Sequence, residues 1–266
     1  MQKTILITGA TDGIGLATAT KLASEHHHLL LHGRSTQKLK EVEAQLSSFS
    51  DAGSVQTYLA DLSELADINA LAEKVAAEHK HIDVLINNAG IFKASETITQ
   101  GGLDIRFCVN TIAPFVLTRQ LAPVLGKSGR VINLSSAAQS AVNLQALAGK
   151  VRLTDMEAYS QSKLAITMWT RSLAEHYKNS GPTIIAVNPG SLLASKMVKD
   201  GFGIDGNDIN IGADILVRIA LEEGFEKHSG QYFDNDAGTF AAPHPEGIDL
   251  KKCEQVVEHI QAILNK

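Results

Sequence analysis

The sequence predicts an α/β chain built on one doubly wound, mostly parallel, seven-stranded sheet with helices on both faces. Three observations predict it. Short runs rich in Val, Ile and Leu alternate with longer amphipathic stretches. The short runs are apolar throughout, as strands buried on both faces should be. The alternation runs from end to end without a Pro- or Ser-rich linker or an internal repeat, so residues 1–266 read as a single domain.

Strands are expected at Thr4–Thr8, Leu29–Gly33, Val55–Ala60, Val84–Asn87, Arg130–Ser135, Thr183–Asn188 and Gln231–Asp234. Helices are expected at Gly13–His26, Gln37–Ser48, Ser63–His79, Gly102–Leu125, Ala158–Tyr177, Ile211–Glu222 and Leu250–Leu264. Two stretches fit the alternation poorly. Ala137–Glu157 is long for a strand-to-helix connection, and Ser191–Asn210 is rich in Gly and polar residues. Both follow carboxyl ends of strands, where open α/β sheets bind ligands, so they are the candidates for a pocket roof and a lid. The plain alternative is two solvated loops.

Composition narrows the class. The chain has 266 residues, 44% of them hydrophobic, which is enough for a large core and excludes a disordered chain. Lys and Arg total 24 against 29 Asp and Glu, a formal charge of -5, which argues against nucleic acid as the main partner. Cys108 and Cys253 are too few for a disulfide framework and read as reduced and buried. No run of about 18 apolar residues suggests a membrane span. The opening apolar run is too short for a secretory signal, so a cytoplasmic protein is expected.

The first strand ends in Thr8-Gly9-Ala10-Thr11-Asp12-Gly13-Ile14-Gly15 and a helix follows. Glycines at such a turn let the backbone bend tightly and approach a pyrophosphate with no Cβ in the way. The helix N-terminus then offers free amides and a partial positive charge. A tight turn alone would also use glycine; the strand–turn–helix context favours the phosphate reading. Asn87-Asn88-Ala89-Gly90 closes the fourth strand, Ser135-Ser136 the fifth, and Asn188-Pro189-Gly190 the sixth. Tyr159 and Lys163 lie four apart on a predicted helix and share a face.

These motifs, with Asn110 in the intervening helix, resemble the short-chain dehydrogenase/reductase family, in its compact branch, across essentially the whole chain. The resemblance implies a Rossmann-type sheet and an oxidoreductase moving hydride between a nicotinamide and a carbonyl or alcohol. It implies catalytic roles for Asn110, Ser136, Tyr159 and Lys163. It places Gly9, Thr11, Asp12, Gly13, Ile14, Gly15, Arg34, Asp61, Leu62, Asn88, Ala89, Gly90, Tyr159, Lys163, Pro189 and Gly190 around the cofactor. The chemistry is consistent with this. A free phenol has a pKa of about 10, and a nearby ammonium favours its phenolate. Lys163 is implied to do this and to hold the nicotinamide ribose.

A hydroxyl donor should sit beside Tyr159, and Ser135 and Ser136 compete. Neighbours on a strand point to opposite faces, so one of the two serves. The family pattern selects Ser136. The span from Ser136 to Tyr159 is longer than the family's commoner spacing, as in retinol-dehydrogenase-like members.

NADP is expected over NAD. No acid ends the second strand to accept from a ribose 2′-hydroxyl; Gly33 stands there, and Arg34 follows with a guanidinium suited to a 2′-phosphate. Asp12 tempers this, because some NADP members have a base at that point. Pro114 has no amide hydrogen, so a regular helix would leave the Asn110 carbonyl without its partner, and a bend is expected there. In the family the matching carbonyl holds a water beside the lysine.

His26-His27-His28 does not have metal-ligand spacing, and no metal is expected. Trp169 lies in a helical stripe with Leu164, Met168 and Leu173, read as core or as the contact of a homodimer or homotetramer. Tyr232, Phe233 and Phe240 read as core. Two other functions fit the fold: a non-catalytic dinucleotide-binding redox sensor, and a nucleotide-sugar epimerase or dehydratase. A sensor has no need of Tyr159, Lys163 and Ser136, and the longer substrate domain of the epimerases is missing.

Overall fold

The computed structural model of the chain describes residues 1–49 and 53–265. The strands are β1 Thr4–Ile7, β2 His28–Gly33, β3 Val55–Leu59, β4 Val84–Asn87, β5 Arg130–Leu134, β6 Thr183–Asn188, β7 Tyr232–Asp234 and β8 Thr239–Ala241. The helices are α1 Gly13–Ser24, α2 Thr36–Ser47, α3 Leu65–Glu78, α4 Ile105–Phe107, α5 Ala113–Leu125, α6 Leu144–Leu147 and α7 Asp155–Tyr177. They continue with α8 Lys196–Phe202, α9 Asn210–Leu221 and α10 Leu250–Leu264.

Among the described residues the strands form one sheet in the order β3-β2-β1-β4-β5-β6-β7-β8. All neighbours pair in parallel except β7 and β8. Alternate side chains leave opposite faces of a strand. Ile5 and Ile7 therefore join one buried layer with Val84, Ile86 and residues of α1 and α9. Leu6 joins the other, with Leu85, Val131 and residues of α3, α5 and α7. Each such side chain, fully buried, contributes about 1.5–3 kcal/mol. The strand order reverses between β1 and β4, which opens a crevice at their carboxyl ends.

The sheet has eight strands, not the expected seven. β8 pairs antiparallel with β7 through Phe233↔Phe240 across a turn ending at Gly238, whose φ is +68°. Its Thr-Phe-Ala is too short to show an alternation. The expected helix Gly102–Leu125 is also revised. Gly102 stands outside with φ +79°, and Asp104 caps the true start by accepting from the Arg106 amide. A π-turn at Cys108–Ile112 then separates α4 from α5, with the Ala113 amide donating to the Cys108 carbonyl. It falls just before Pro114, where regular bonding fails.

α7 begins earlier than expected, at Asp155. Thr154 accepts from the Glu157 amide while the Glu157 carboxylate accepts from the Thr154 amide, a reciprocal cap. Most of α7 is buried. The Trp169 indole donates to the Thr111 carbonyl at 3.2 Å and meets Phe115 edge-on. α10 packs along α7, burying Cys253, Val256 and Ile260 in the same core. The stripe carrying Trp169 is thus core, and a second copy of the chain would need another surface. No described helix is long and apolar enough to cross a membrane.

Arg106, 1% exposed, ties this layer together. It donates to Asp104 at 2.8 and 2.6 Å and pairs with Asp155 at the start of α7. Removing one partner of a buried pair leaves a charge uncompensated. Asp104→Ala is expected to destabilise the chain by about 3 kcal/mol or more in urea unfolding. Asp155→Ala should cost less, because Asp155 is 46% exposed.

Candidate active site

The glycine turn is closed by contacts that exclude side chains. A Cβ on Gly9 would lie 2.9 Å from Ala89 Cα, and one on Gly15 would lie 2.3 Å from the Gly9 carbonyl oxygen. Gly9 and Gly13 have φ of +65° and +56°, where L residues are strained. The Asn88 side chain donates to the Thr8 and Gly9 carbonyls at 2.9 and 3.0 Å, and the Ala89 amide donates to Thr8 Oγ1. The ends of β1 and β4 are thus tied into one cradle at the strand reversal. Thr11 and Ile14 sit within it, half-buried.

Gly33 has its own reason to lack an acid. A Cβ there would lie 2.6 Å from Thr11 Cγ2 and 3.2 Å from Leu39. Arg34, beside it, is exposed. Asp12 caps α1 and accepts from Lys38 at 3.0 Å, and that hydrogen bond holds its carboxyl below the usual range. The Asp61 carboxylate accepts from the Ser63 amide and hydroxyl, while the Leu62 side chain is core. Gly190 takes a φ of +125°, and the Pro189 carbonyl accepts from Asn235.

The Tyr159 phenol faces the Ser136 side chain. Burial raises the pKa of the phenol, and the neighbouring Ser136 hydroxyl opposes this. Lys163 is 4% exposed; its Nζ donates to the Leu134 carbonyl at 2.8 Å and lies 5.7 Å from the Tyr159 ring centroid. Burial lowers its pKa to about 8, so it remains a cation at neutral pH. The net shift of the phenol is upward, opposite to the lowering expected from Lys163, and only Ser136 opposes burial. The serines, which follow the end of β5, face different neighbours. Ser135 Oγ is buried against the Lys163 carbonyl and Thr167 at 2.8 and 2.7 Å, and Ser136 faces Tyr159. Asn110, 1% exposed, clamps Ile91 with bonds of 2.8 and 2.9 Å to its amide and carbonyl and reaches Ser162.

The short chain dehydrogenase family profile matches residues 3–202. The chain belongs to that family. It is similar to bovine retinol dehydrogenase 12, with 33% identity over 261 residues, covering 91% of this chain and 80% of that protein. It is also similar to a metagenomic short-chain oxidoreductase solved in complex with NADP, at 30% identity and TM-score 0.62, covering 82% of this chain and 90% of that one. A short-chain dehydrogenase from Burkholderia cenocepacia, also in complex with NADP, aligns at 26% identity and TM-score 0.70, covering 88% and 95%.

This short-chain dehydrogenase carries site residues that sequence reasoning missed. The Ser136 carbonyl accepts from the Tyr232 hydroxyl at 3.1 Å and from Gln139 Nε2 at 2.9 Å. Gln139 Oε1 in turn accepts from the His244 amide, so the C-terminal segment steadies the serine. Tyr232 is core, as expected, but its hydroxyl has this second duty. His32, 3% exposed, accepts from the Gly9 amide through Nδ1 at 3.3 Å. Its Nε2 is 3.1 Å from the Ala60 carbonyl, which fixes the hydrogen on Nε2. Burial lowers its pKa to about 4, keeping it neutral. It braces the glycine turn against the end of β3. An unusual His before Gly-Arg was the available signal.

Both poorly fitting stretches carry short helices. α6 lies in Ala137–Glu157, and α8 lies in Ser191–Asn210. Met197 Cε of α8 is 3.7 Å from where a Gly90 Cβ would be, and Ser195 and Ile209 lie 3.8 and 3.9 Å from where a Gly13 Cβ would be. This segment therefore lies over the cradle. The Phe92 ring meets Tyr159 edge-on, with centroids 5.2 Å apart.

Gly33→Asp is expected to destabilise the chain by about 1–3 kcal/mol through overpacking against Thr11. Thermal unfolding of Gly33→Asp alone and combined with Thr11→Ser checks this. The second change removes Cγ2 and should recover part of the loss.

Proposed function

We propose that this oxidoreductase interconverts an apolar carbonyl and its alcohol with NADP(H) in preference to NAD(H), with Tyr159 as acid and base. The observation that carries the reading is the Tyr159 phenol facing Ser136, with Lys163 buried beside them. The cradle fits a dinucleotide: Gly9 and Gly15 leave no room for side chains of their own, and the N-terminus of α1 faces a phosphate position. When bound, the cofactor supplies or accepts the hydride. The chain does the rest. Ser136 positions the substrate oxygen, and Tyr159 gives its proton to that oxygen as negative charge develops there. Lys163 favours the phenolate left behind. Asn110 fixes the Ile91 backbone beside the site. Phe92 and Met197 make the mouth apolar, which suits a hydrophobic substrate such as the name of the retinol dehydrogenase relative describes.

NADP preference is supported by exposed Arg34, by the crowding at Gly33 that excludes an acid, and by the two NADP-complexed relatives. Arg34→Ala is expected to weaken NADP binding about tenfold or more, the scale of a charge-assisted contact, and to leave NAD binding unchanged. Asp12→Asn should strengthen NADP binding by releasing Lys38 toward the same phosphate. Dissociation constants by fluorescence titration check both. Equal affinities of the parent chain for NADP and NAD would overturn the preference.

Tyr159→Phe is expected to reduce turnover by about a hundredfold or more, the scale of general acid–base catalysis, while cofactor binding persists. Screening apolar aldehydes and ketones by NADPH absorbance supplies the substrate for this test. Reduction should be steady near neutral pH and fall as pH rises through about 8, where Lys163 loses its proton. Stability should move the other way. The folded pKa of Lys163 lies below its ordinary 10.5, so between about 8 and 10.5 the unfolded chain binds more protons and this group favours folding more as pH rises. A rate loss without a parallel fall in unfolding midpoint separates titration from denaturation.

A further inference from the structure

Gly201 lies in α8, the short helix over the cradle, and the helix itself does not call for a glycine there. The residue is helical and its φ is not positive, and alanine is the better helix former. The reason for glycine lies across the gap. A Cβ on Gly201 would stand 2.8 Å from both Cδ1 and Cε1 of Phe92, closer than packed side chains come.

Phe92 is held from both sides. It is buried yet belongs to neither core layer of the sheet. Its ring meets the Tyr159 ring edge-on with centroids 5.2 Å apart. Aromatic pairs touch at this spacing, so a ring pushed from α8 presses on Tyr159. The backbone that carries it is held as well, because Asn110 bonds both the amide and the carbonyl of Ile91. Two further contacts set α8 on this segment. Met197 Cε lies 3.7 Å from where a Gly90 Cβ would be, and Lys93 Nζ donates to the Asp200 carbonyl at 3.4 Å. Met197 and Gly201 are four apart and share a helix face. That face therefore rests on Gly90–Lys93, and its height decides how much space is left beside Tyr159.

We infer that Gly201 is a specificity-determining residue, a role that rests on the carbonyl reduction proposed above. By lacking a side chain it seats α8 on the Phe92 ring and closes the space beside Tyr159 to carbonyls branched next to the reacting carbon. The full chain is compared with Gly201→Ala, Phe92→Leu and the double variant in two measurements. Hydrogen exchange of the α8 amides needs no substrate. It should quicken about tenfold in Gly201→Ala, as the added methyl lifts the helix, and return toward the parent rate in the double variant, where leucine makes room. Helix propensity alone would slow exchange in Gly201→Ala, so the direction separates the two causes. Reduction of hexanal and of pivaldehyde with NADPH reads the space itself. The parent should favour hexanal. The ratio of the two kcat/KM values should fall about tenfold in Gly201→Ala, through KM, and recover in the double variant. Phe92→Leu alone should lower the ratio too, and it covers the case in which Gly201→Ala does not fold. Unchanged exchange in Gly201→Ala would overturn the seat. An unmoved aldehyde ratio in either single variant, or a double variant no closer to the parent than Gly201→Ala, would overturn the role in specificity. If the parent reduces neither aldehyde, the carbonyl reading fails and the specificity with it, while exchange still decides the contact between Gly201 and Phe92.

Discussion

An ammonium held out of water organises this molecule. Lys163 is 4% exposed, and a buried cation without acceptors is costly. The Leu134 carbonyl at the end of β5 receives it at 2.8 Å, which ties α7 to the sheet. The same turn of α7 is held again through Ser135, whose hydroxyl donates to the Lys163 carbonyl. Two turns on, Asn133 donates to Thr170, and Asn87 donates to Asn133, so a buried polar chain runs from β4 through β5 into α7. These bonds have direction, unlike the apolar contacts around them. They set the rotation of α7, and with it the side on which Tyr159 emerges.

The second constraint is the way strand ends are laced together. Asn88 holds the glycine turn by two carbonyls, and His32 holds the same turn from the other side through the Gly9 amide. Asn110 reaches the residue after Gly90, and Tyr232 and Gln139 hold the Ser136 carbonyl. The site is therefore assembled from βα ends that the parallel sheet brings side by side, each locked by a side chain from a neighbour. Positions so locked lose little freedom when a substrate arrives, which is the physical meaning of preorganisation here.

Much of this was legible in the sequence, for identifiable reasons. Strands buried on both faces announce themselves by apolar runs, and β4 and β6 have the expected ends. That Tyr159 and Lys163 share a face follows from their spacing on a helix, while the choice between Ser135 and Ser136 came only from the resemblance to the family. Short or cooperative features were not. β8 has three residues and draws its stability from pairing with β7 rather than from a pattern of its own. The early start of α7 depends on the Thr154–Glu157 cap, which the apolar periodicity does not include. Gln139 and Tyr232 act through hydrogen bonds to a residue far along the chain, which local pattern cannot reveal.

The π-turn shows how one missing hydrogen is resolved by the chain. A regular helix would require the Pro114 nitrogen to donate to Asn110, and it has nothing to donate. The backbone widens one turn earlier instead, so that the Ala113 amide reaches back to Cys108. Widening changes the facing of the residues inside the turn. The Thr111 carbonyl comes to face the Trp169 indole, and the Thr111 hydroxyl reaches the Ser162 carbonyl. The Asn110 side chain meets Ile91 and Ser162 together. A turn that looks like a defect in one helix thus becomes its docking surface on α7, the helix that carries Tyr159 and Lys163. π-turns inside helices often mark functional positions, and here the reason is visible. The irregular turn supplies polar contacts that a regular helix would have closed within itself.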